Sequence, residues 1–149
     1  MKRKFPNAPI PAVSGIVLNE KNEILAIRRG KNPGKGRWSL PGGVVRLGEP
    51  IQDALRREIR EECGVDVAVL KFMTVFDRIF RNSRGEVEYH YVLVNFLCRL
   101  KKGTPAASSD AADVRWICSD DLDRYQWTIG VGKFLENFFA NLVLPKFKK

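Results

Sequence analysis

The chain has 149 residues, of which 44% are hydrophobic and 29% are charged, and its formal net charge is +9 at pH 7. This length and composition are typical of one globular domain, and no apolar run approaches the roughly 18 residues of a membrane-spanning helix. Six of the lysines and arginines lie in short basic tails, residues 1–6 and 143–149, of a kind that is often merely solubilising and disordered, so the net charge alone does not indicate nucleic-acid binding.

The first predicted elements form a β-hairpin. Apolar runs at 10–18 and 23–29 are separated by Asn19-Glu20-Lys21-Asn22, a sequence typical of a turn. The loop at 30–36 that follows is rich in glycine and lysine but lacks the Gly-Lys-Ser/Thr ending of a phosphate-binding loop. We interpret it as a connection from which Lys31 and Lys35 could reach substrate phosphates.

A helix is predicted from Glu49 and Pro50 to Gly64. Proline tolerates the first helical position, and a carboxylate there complements the positive end of the helix dipole. Glycine is the usual residue just after a helix ends. The apolar residues between these ends have helical spacing and can be buried against a sheet: Ile51, Ala54, Leu55 and Ile59.

Three glutamates place an acidic cluster on this helix. Glu58, Glu61 and Glu62 stand at i, i+3 and i+4, so their Cβ atoms lie about 5–6 Å apart if the segment is helical. Like charges at this distance repel one another. A bound Mg²⁺ or Mn²⁺ is the simplest explanation for keeping the three carboxylates together, because both ions prefer hard oxygen ligands. An ordinary surface helix is the alternative, but it would gain nothing from the like-charge pair of Glu58 and Glu62.

The second half of the chain predicts more strands and a final helix. Strands are expected at 66–80 and 86–100, and their apolar residues on both faces suggest central strands. A short strand at 114–117 and a helical turn at 119–122 follow. The last helix is predicted at 128–142 from apolar residues with helical spacing: Ile129, Phe134, Leu135, Phe138, Phe139 and Leu142. With no repeat or linker, we expect one domain over residues 1–149 of mixed α/β (α+β) class.

The segment from 43 to 65 resembles the signature of the Nudix hydrolases. That signature is a glycine, five residues, Glu, seven residues, and then Arg-Glu-apolar-any-Glu-Glu-any-Gly-apolar. Its fixed positions are all filled here, by Gly43, Glu49, Arg57, Glu58, Ile59, Glu61, Glu62, Gly64 and Val65. A looser similarity continues through 36–43 and 114–117. The resemblance implies the Nudix fold, a curved mixed β-sheet between helices.

The resemblance also implies an activity and a cofactor. Nudix enzymes use Mg²⁺ or Mn²⁺ and water to hydrolyse the pyrophosphate linkage of nucleoside diphosphate derivatives. ADP-ribose or a nucleotide sugar ranks first here, ahead of (oxidised) nucleoside triphosphates. The implied metal ligands are the Gly42 carbonyl, Glu58, Glu61 and Glu62. Arg57 is expected to orient Glu49 and so to order the loop before the helix.

The general base is left open between two regions. Glu61 or Glu62 within the signature is the first choice. Asp110 and Asp113, in the loop before the short strand, are rivals whose interpretation as ordinary loop aspartates is favoured.

Substrate selection is expected to come from outside the signature. The predicted substrate-binding residues are Lys35, Trp38, Arg78 and Asp113. Trp38 and Phe76 could stack on a base, although aromatic residues of β-rich proteins more often belong to the core. His90 is interpreted as a core or strand-face residue. A further group could line a cleft or form a surface cluster: Asp77, Arg78 and Arg81.

Two other functions are kept as alternatives. One is a non-catalytic nucleotide sensor on the same fold, since a fold does not determine a function. The other is removal of pyrophosphate from RNA 5′ ends, although no nucleic-acid-binding motif is found and a small nucleotide is the expected partner. A cytoplasmic location without membrane contact is expected. The oligomeric state stays open, with a homodimer as one option.

Overall fold

The computed structural model describes residues 2–108 and 110–142. Within these ranges the elements follow in the order β1 (Ile10–Leu18), β2 (Ile24–Arg29), β3 (Trp38–Ser39), β4 (Gly42–Val44), α1 (Ile51–Cys63), β5 (Asp66–Arg81), β6 (Val87–Lys102), β7 (Ala111–Ile117), a 3₁₀ turn (Ser119–Arg124) and α2 (Val131–Ala140). Neither helix of the described ranges has the length and apolar character needed to cross a membrane.

The strands form one mixed sheet in the order β3-β2-β1-β6-β5, with β4 beside β1 and β7 beside β2. β1 and β6 run parallel, in a register from Ile10 opposite Tyr91 to Leu18 opposite Arg99. The other strand pairs are antiparallel. The predicted hairpin of β1 and β2 is therefore confirmed, and so is the mixed α/β class.

Each face of the sheet is covered by its own core. Side chains alternate along a strand, so β1 sends Val13 and Val17 to one face and Ile16 and Leu18 to the other. The first pair packs with the apolar stripe of α1, and the second pair packs in a cluster that includes residues of α2. Because β1 is buried along almost its whole length, the sheet lies between the two helices.

The prediction that β5 is a central strand is wrong. β5 lies at the end of the strand order, and Phe72, Val75 and Ile79 are 56%, 49% and 44% exposed. A helix of 13 residues is about 20 Å long, whereas a strand of 16 residues spans about 50 Å. α1 is therefore too short to cover β5, although the apolar sequence of the strand suggested burial on both faces.

Other boundaries differ by a few residues. β3 and β4 are too short to leave a pattern in the sequence, and β7 begins at Ala111 rather than at 114. α2 begins at Val131 rather than at 128, because Gly130 before it has a left-handed φ of 83°. Ile129 therefore lies outside the helix and is 76% exposed. The basic tail at 143–149 lies outside the described residues.

Candidate functional site

A cavity of about 610 Å³ opens on the α2 side of the sheet, within the usual size range of small-molecule sites. One side is formed by α1 and β4, including the three glutamates of the predicted acidic cluster. Another side is formed by β5 and β6. Loops before β3 and before α2 complete it. The cavity thus brings the signature helix together with residues from distant parts of the chain.

Two consecutive glycines let the acidic helix approach the sheet. A Cβ atom on Gly43 would lie 2.3 Å from Cδ of Glu58, and one on Gly42 would lie 1.9 Å from the carbonyl oxygen of Val13. Neither position tolerates a side chain without displacing its neighbour. The N–H of Gly42 donates to Oε1 of Glu62 over 2.8 Å, so the close approach also gives that carboxylate a partner.

Arg57 connects the carboxylates of the signature. Its Nε and Nη2 donate to the two carboxylate oxygens of Glu49 over 2.8 and 2.9 Å, which makes a bidentate contact. Nη2 also donates to the carbonyl oxygen of Val44 over 3.1 Å. Nη1 reaches Glu58 at 2.8 Å and Glu61 at 3.3 Å. One guanidinium therefore holds the loop before α1 and two carboxylates of the helix.

These contacts give the glutamates different protonation behaviour. The hydrogen bond from Arg57 lowers the pKa of Glu49 to about 2, so Glu49 stays ionised. Burial raises the pKa of Glu62 to about 8, although the Gly42 N–H opposes the rise. Burial also raises the pKa of Glu58, with Arg57 opposing it. The site therefore contains one carboxylate that stays ionised, Glu49, and two carboxyl groups, Glu58 and Glu62, whose ionised form is destabilised by burial.

The loop before β7 satisfies the end of α1. Carbonyl oxygens of Glu61, Glu62 and Cys63 accept hydrogen bonds from the Ser108 hydroxyl, the Ser108 N–H and the Ala106 N–H, respectively. Helix ends leave such carbonyls unpaired unless another segment reaches them. The acidic end of α1 is consequently fixed from two directions, by β4 and by this loop.

The acidic residues fit a hard divalent cation in chemistry and charge. Within residues 2–108 and 110–142, no three histidine, cysteine or acidic side chains surround one point as in a formed cation site. Glu58 and Glu61 are turned toward Arg57, and Glu62 toward Gly42. Carboxylate oxygens are nevertheless the ligands that Mg²⁺ and Mn²⁺ prefer, and a cation would compensate the buried charge of Glu58 and Glu62.

Two arginines of the sheet also line the cavity, Arg29 at the end of β2 and Arg78 in β5. Arg29 donates through Nε to the carbonyl oxygen of Pro33 over 2.6 Å. Arg78 donates to Oγ1 of Thr128 over 2.9 Å and to the carbonyl oxygen of Ile129. In the described part of the chain neither guanidinium has a carboxylate within 4.0 Å. Burial and the charge of Arg29 lower the pKa of Arg78, so this part of the cavity suits an anion.

An aromatic wall extends from Arg78 along the β5–β6 hairpin. It consists of Phe76, Phe80, Tyr89 and Tyr91, all of which line the cavity. The rings of Tyr89 and Tyr91 are nearly parallel, with an interplanar angle of 14° and centroids 6.5 Å apart. Aromatic faces of this kind stack on planar ligands such as nucleobases. His90, between the two tyrosines, points to the opposite face of the strand.

Three of the predicted substrate residues do not reach the cavity. Trp38 is 7% exposed and packs edge-on against Tyr125, with ring centroids 5.2 Å apart, so it belongs to the core. Asp113 accepts the N–H of Val114 over 2.8 Å and lies 3.2 Å from Arg115. Lys35 is exposed outside the cavity lining. We therefore leave these residues out of the candidate site and keep Arg78.

The other residues that the sequence suggested also divide into those that line the cavity and those that do not. Lys31 and Asp110 both line the cavity and form an ion pair of 2.7 Å with each other. Phe76 lines it too, with its ring packed edge-on against Phe134. Asp77 and Arg81 are exposed and lie outside the lining. Of the two rival bases, only Asp110 is therefore placed where it could meet a substrate.

Sequence reasoning missed Arg29, Phe80, Tyr89 and Tyr91. The alternation along β5 and β6 contains part of the signal, since Phe76, Arg78 and Phe80 occupy every second position. Which face of the hairpin meets the cavity depends on the pairing of β6 with β1, and that pairing joins residues about 80 positions apart.

Comparison with known proteins decides the family. The model of the NUDIX domain family matches residues 8–138, which is most of the chain. The chain belongs to the Nudix family. The predicted resemblance is thereby confirmed, and the segment 43–65, which contains the acidic helix and Arg57, lies within the matched range.

Individual Nudix proteins are similar over much of the chain. An ADP-ribose pyrophosphatase of Methanocaldococcus jannaschii is 34% identical over 116 residues, which are 78% of this chain and 66% of that protein. A MutT-like protein of Streptomyces ambofaciens is 34% identical over 111 residues, 74% of this chain and 65% of that protein. The chain thus spans just under two thirds of the length of both relatives.

A solved structure extends the likeness to three dimensions. The MutT Nudix hydrolase of Burkholderia pseudomallei is 30% identical and superimposes with a TM-score of 0.72, covering 87% of this chain and 98% of that one. The arrangement of sheet and helices described above is therefore the Nudix fold.

Proposed function

We propose that this chain is a divalent-cation-dependent pyrophosphohydrolase of nucleoside diphosphate derivatives. The observation that carries the proposal is that acidic and basic groups line the same cavity. Glu58, Glu61 and Glu62 line it, and so do Arg29 and Arg78, which have no carboxylate partner within 4.0 Å in the described chain. A diphosphate in this cavity could contact both a cation held by the glutamates and the two guanidiniums, and positive groups of this kind stabilise the charge that develops in phosphoryl transfer.

The reaction is the attack of water on one phosphorus of the diphosphate. A new P–O bond forms, the bond to the bridging oxygen breaks, and that oxygen leaves with the other phosphate. When bound, the cation would neutralise phosphate oxygens and lower the pKa of water. Glu58, Glu61 and Glu62 would hold it, with the Gly42 carbonyl as a further ligand.

The signature residues also order the site and supply the proton acceptor. Arg57 keeps Glu49 ionised and holds the loop that carries it against the helix, so that pair orders the site without touching the substrate. The proton released by the attacking water would pass to Glu61 or Glu62. Their glutamine variants should lose activity, and the variant that removes the base should also lose the acidic limb of the pH–rate profile.

ADP-ribose ranks first among the candidate substrates. One similar protein is named an ADP-ribose pyrophosphatase, and the aromatic wall offers a stacking surface for an adenine ring. Nucleotide sugars and nucleoside triphosphates share the diphosphate and belong to the same test. The expected cytoplasmic location and the oligomeric state stay predictions.

The decisive experiment is a product assay. The purified chain is incubated with ADP-ribose, nucleotide sugars and nucleoside triphosphates in Mg²⁺, Mn²⁺ or a chelator, and phosphate-containing products are identified by chromatography. We expect release of nucleoside monophosphate that depends on the metal. Reaction in H₂¹⁸O then identifies the phosphorus that water attacks, since the label enters that phosphate alone.

A matched pair of variants links the product to the site. Glu58→Gln should abolish turnover, whereas Asp53→Asn, which removes an exposed carboxylate from the same helix, should leave it within about twofold. Tight nucleotide binding with no turnover in either metal would favour the sensor. Equal activity of wild type and Glu58→Gln would overturn the assignment of the cavity.

A further inference from the structure

We propose that Arg3 and Lys4 form part of the substrate site and that Arg3 binds a phosphate of the substrate. The inference rests on the proposed function, because it adds a binding residue to the same cavity. Arg3 and Lys4 both line that cavity. The sequence suggested only a solubilising basic tail at this position.

Contacts to the start of β6 fix this segment beside the cavity. The N–H of Phe5 donates to the carbonyl oxygen of Glu88 over 2.8 Å, and the ammonium group of Lys4 lies 3.4 Å from the Glu88 carboxylate. A few residues later the chain enters the sheet, where Ile10 pairs with Tyr91. The chain from Lys4 to Ile10 is thus attached to β6 at both of its ends, and Arg3 directly precedes the first attachment.

Arg3 lies in the cavity together with residues of the signature helix and of the aromatic wall. Glu58 and Glu61 of the helix and Tyr89 and Tyr91 of the wall line the same cavity as Arg3. Burial raises the pKa of the Tyr91 hydroxyl, and Arg3 is the first of the charges that oppose this rise, so its charge acts on the aromatic wall. A nucleotide stacked on that wall would bring its phosphates into the cavity that Arg3 lines.

Arg3 is free to meet such a ligand. Lys4 is paired with Glu88, and Lys31 is paired with Asp110. In the described chain, by contrast, no carboxylate lies within 4.0 Å of the Arg3 guanidinium. A guanidinium presents a fork of donors that matches two phosphate oxygens, and it stays charged at any working pH. Arg3 thus adds a third guanidinium to the cavity that Arg29 and Arg78 also line.

The test compares Arg3→Ala with Lys2→Ala in steady-state hydrolysis of ADP-ribose. Lys2 carries the same charge in the same segment, but it is exposed and lies outside the cavity lining, so it is a matched control. Arg3→Ala should raise KM about tenfold with little change in kcat, the pattern of a lost binding contact. Lys2→Ala should change neither by more than about twofold.

Two further variants separate the effect of the Arg3 charge from the effect of how the N-terminal segment is held. Arg3→Lys should recover part of the affinity, because it keeps the charge and loses the fork. Glu88→Gln releases the anchor of Lys4 without touching the cavity, and it should raise KM less than Arg3→Ala does. The effect of Arg3→Ala should also shrink as ionic strength rises, since salt screens an exposed charge. Unchanged thermal unfolding midpoints would confirm that each variant is folded.

Equal KM values for wild type, Arg3→Ala and Lys2→Ala in an active enzyme would overturn this inference and leave the proposed function intact. If the wild type hydrolyses no nucleotide, the proposed function fails instead. Calorimetric binding of ADP-ribose to the same three proteins then decides the inference: weaker binding by Arg3→Ala alone supports it, and equal binding overturns it.

Discussion

Replacing Glu62 by glutamine should stabilise the metal-free protein in alkaline solution, although it removes a proposed ligand. Glu62 is 8% exposed, and burial raises its pKa from 4.5 to about 8. Glutamine has nearly the same shape, carries no charge and can still accept the N–H of Gly42. The substitution therefore removes the buried charge and little else.

The size of the effect follows from the two pKa values. Between about pH 4.5 and 8 the Glu62 carboxyl binds a proton in the folded chain but not in the unfolded one, so the free energy of unfolding decreases as the pH rises. Each pH unit corresponds to about 1.4 kcal/mol, which gives a total of about 5 kcal/mol at pH 8 and above. Below about pH 4.5 both states are protonated, and wild type and Glu62→Gln should be equally stable.

Denaturant unfolding with a chelator, at several pH values from 4 to 9, measures this difference. Glu61→Gln is the control: its side chain is 44% exposed, so its free energy of unfolding should stay within about 1 kcal/mol of wild type throughout. Added Mg²⁺ should stabilise wild type more than Glu62→Gln, because only the ionised carboxylate binds the cation well. A difference between wild type and Glu62→Gln that does not change with pH would refute the argument from buried charge.

Three other substitutions test the geometry. Gly43→Ala should lower activity about a hundredfold in a steady-state assay, because the new Cβ would lie 2.3 Å from Cδ of Glu58 and must displace that carboxylate; a variant with normal turnover would contradict the close approach. Arg57→Lys should lower kcat about 10- to 100-fold while circular dichroism stays unchanged, since lysine cannot make the bidentate contact to Glu49. Trp38→Ala should lower the free energy of unfolding by about 3–5 kcal/mol, with KM within about twofold for the folded fraction; a raised KM at normal stability would return Trp38 to the substrate site.

The acidic half of the site could be predicted because its residues are close in sequence. Helical spacing alone brings Glu58, Glu61 and Glu62 to neighbouring positions, and the glycine at 64 ends the helix with a left-handed φ of 72° as expected. Pro50 caps α1 instead of opening it, a shift of one residue. Helical spacing and the residues at the helix ends were therefore sufficient to predict this half of the site.

The other half depends on contacts between distant segments. Arg29, Arg78 and Tyr91 meet only after β1 pairs with β6 in parallel, and no local pattern specifies that pairing. Trp38 illustrates the opposite error. It stands near the signature and seemed suited to a base, but a short strand and the residues around Tyr125 bury it. Residues that are close in sequence were therefore close in the site only when they belonged to the same helix or strand.

The contacts of Arg57 have a consequence for the protein in the absence of a cation. The guanidinium pairs with Glu58 and Glu61, so it supplies part of the positive charge that the proposed cation would otherwise supply. A cation that binds there would compete with the guanidinium for the same carboxylate oxygens, and this competition would weaken its binding. Because Arg57 also pairs with Glu49, it would keep a carboxylate partner after the exchange. We therefore expect the cation to be weakly held and readily exchanged.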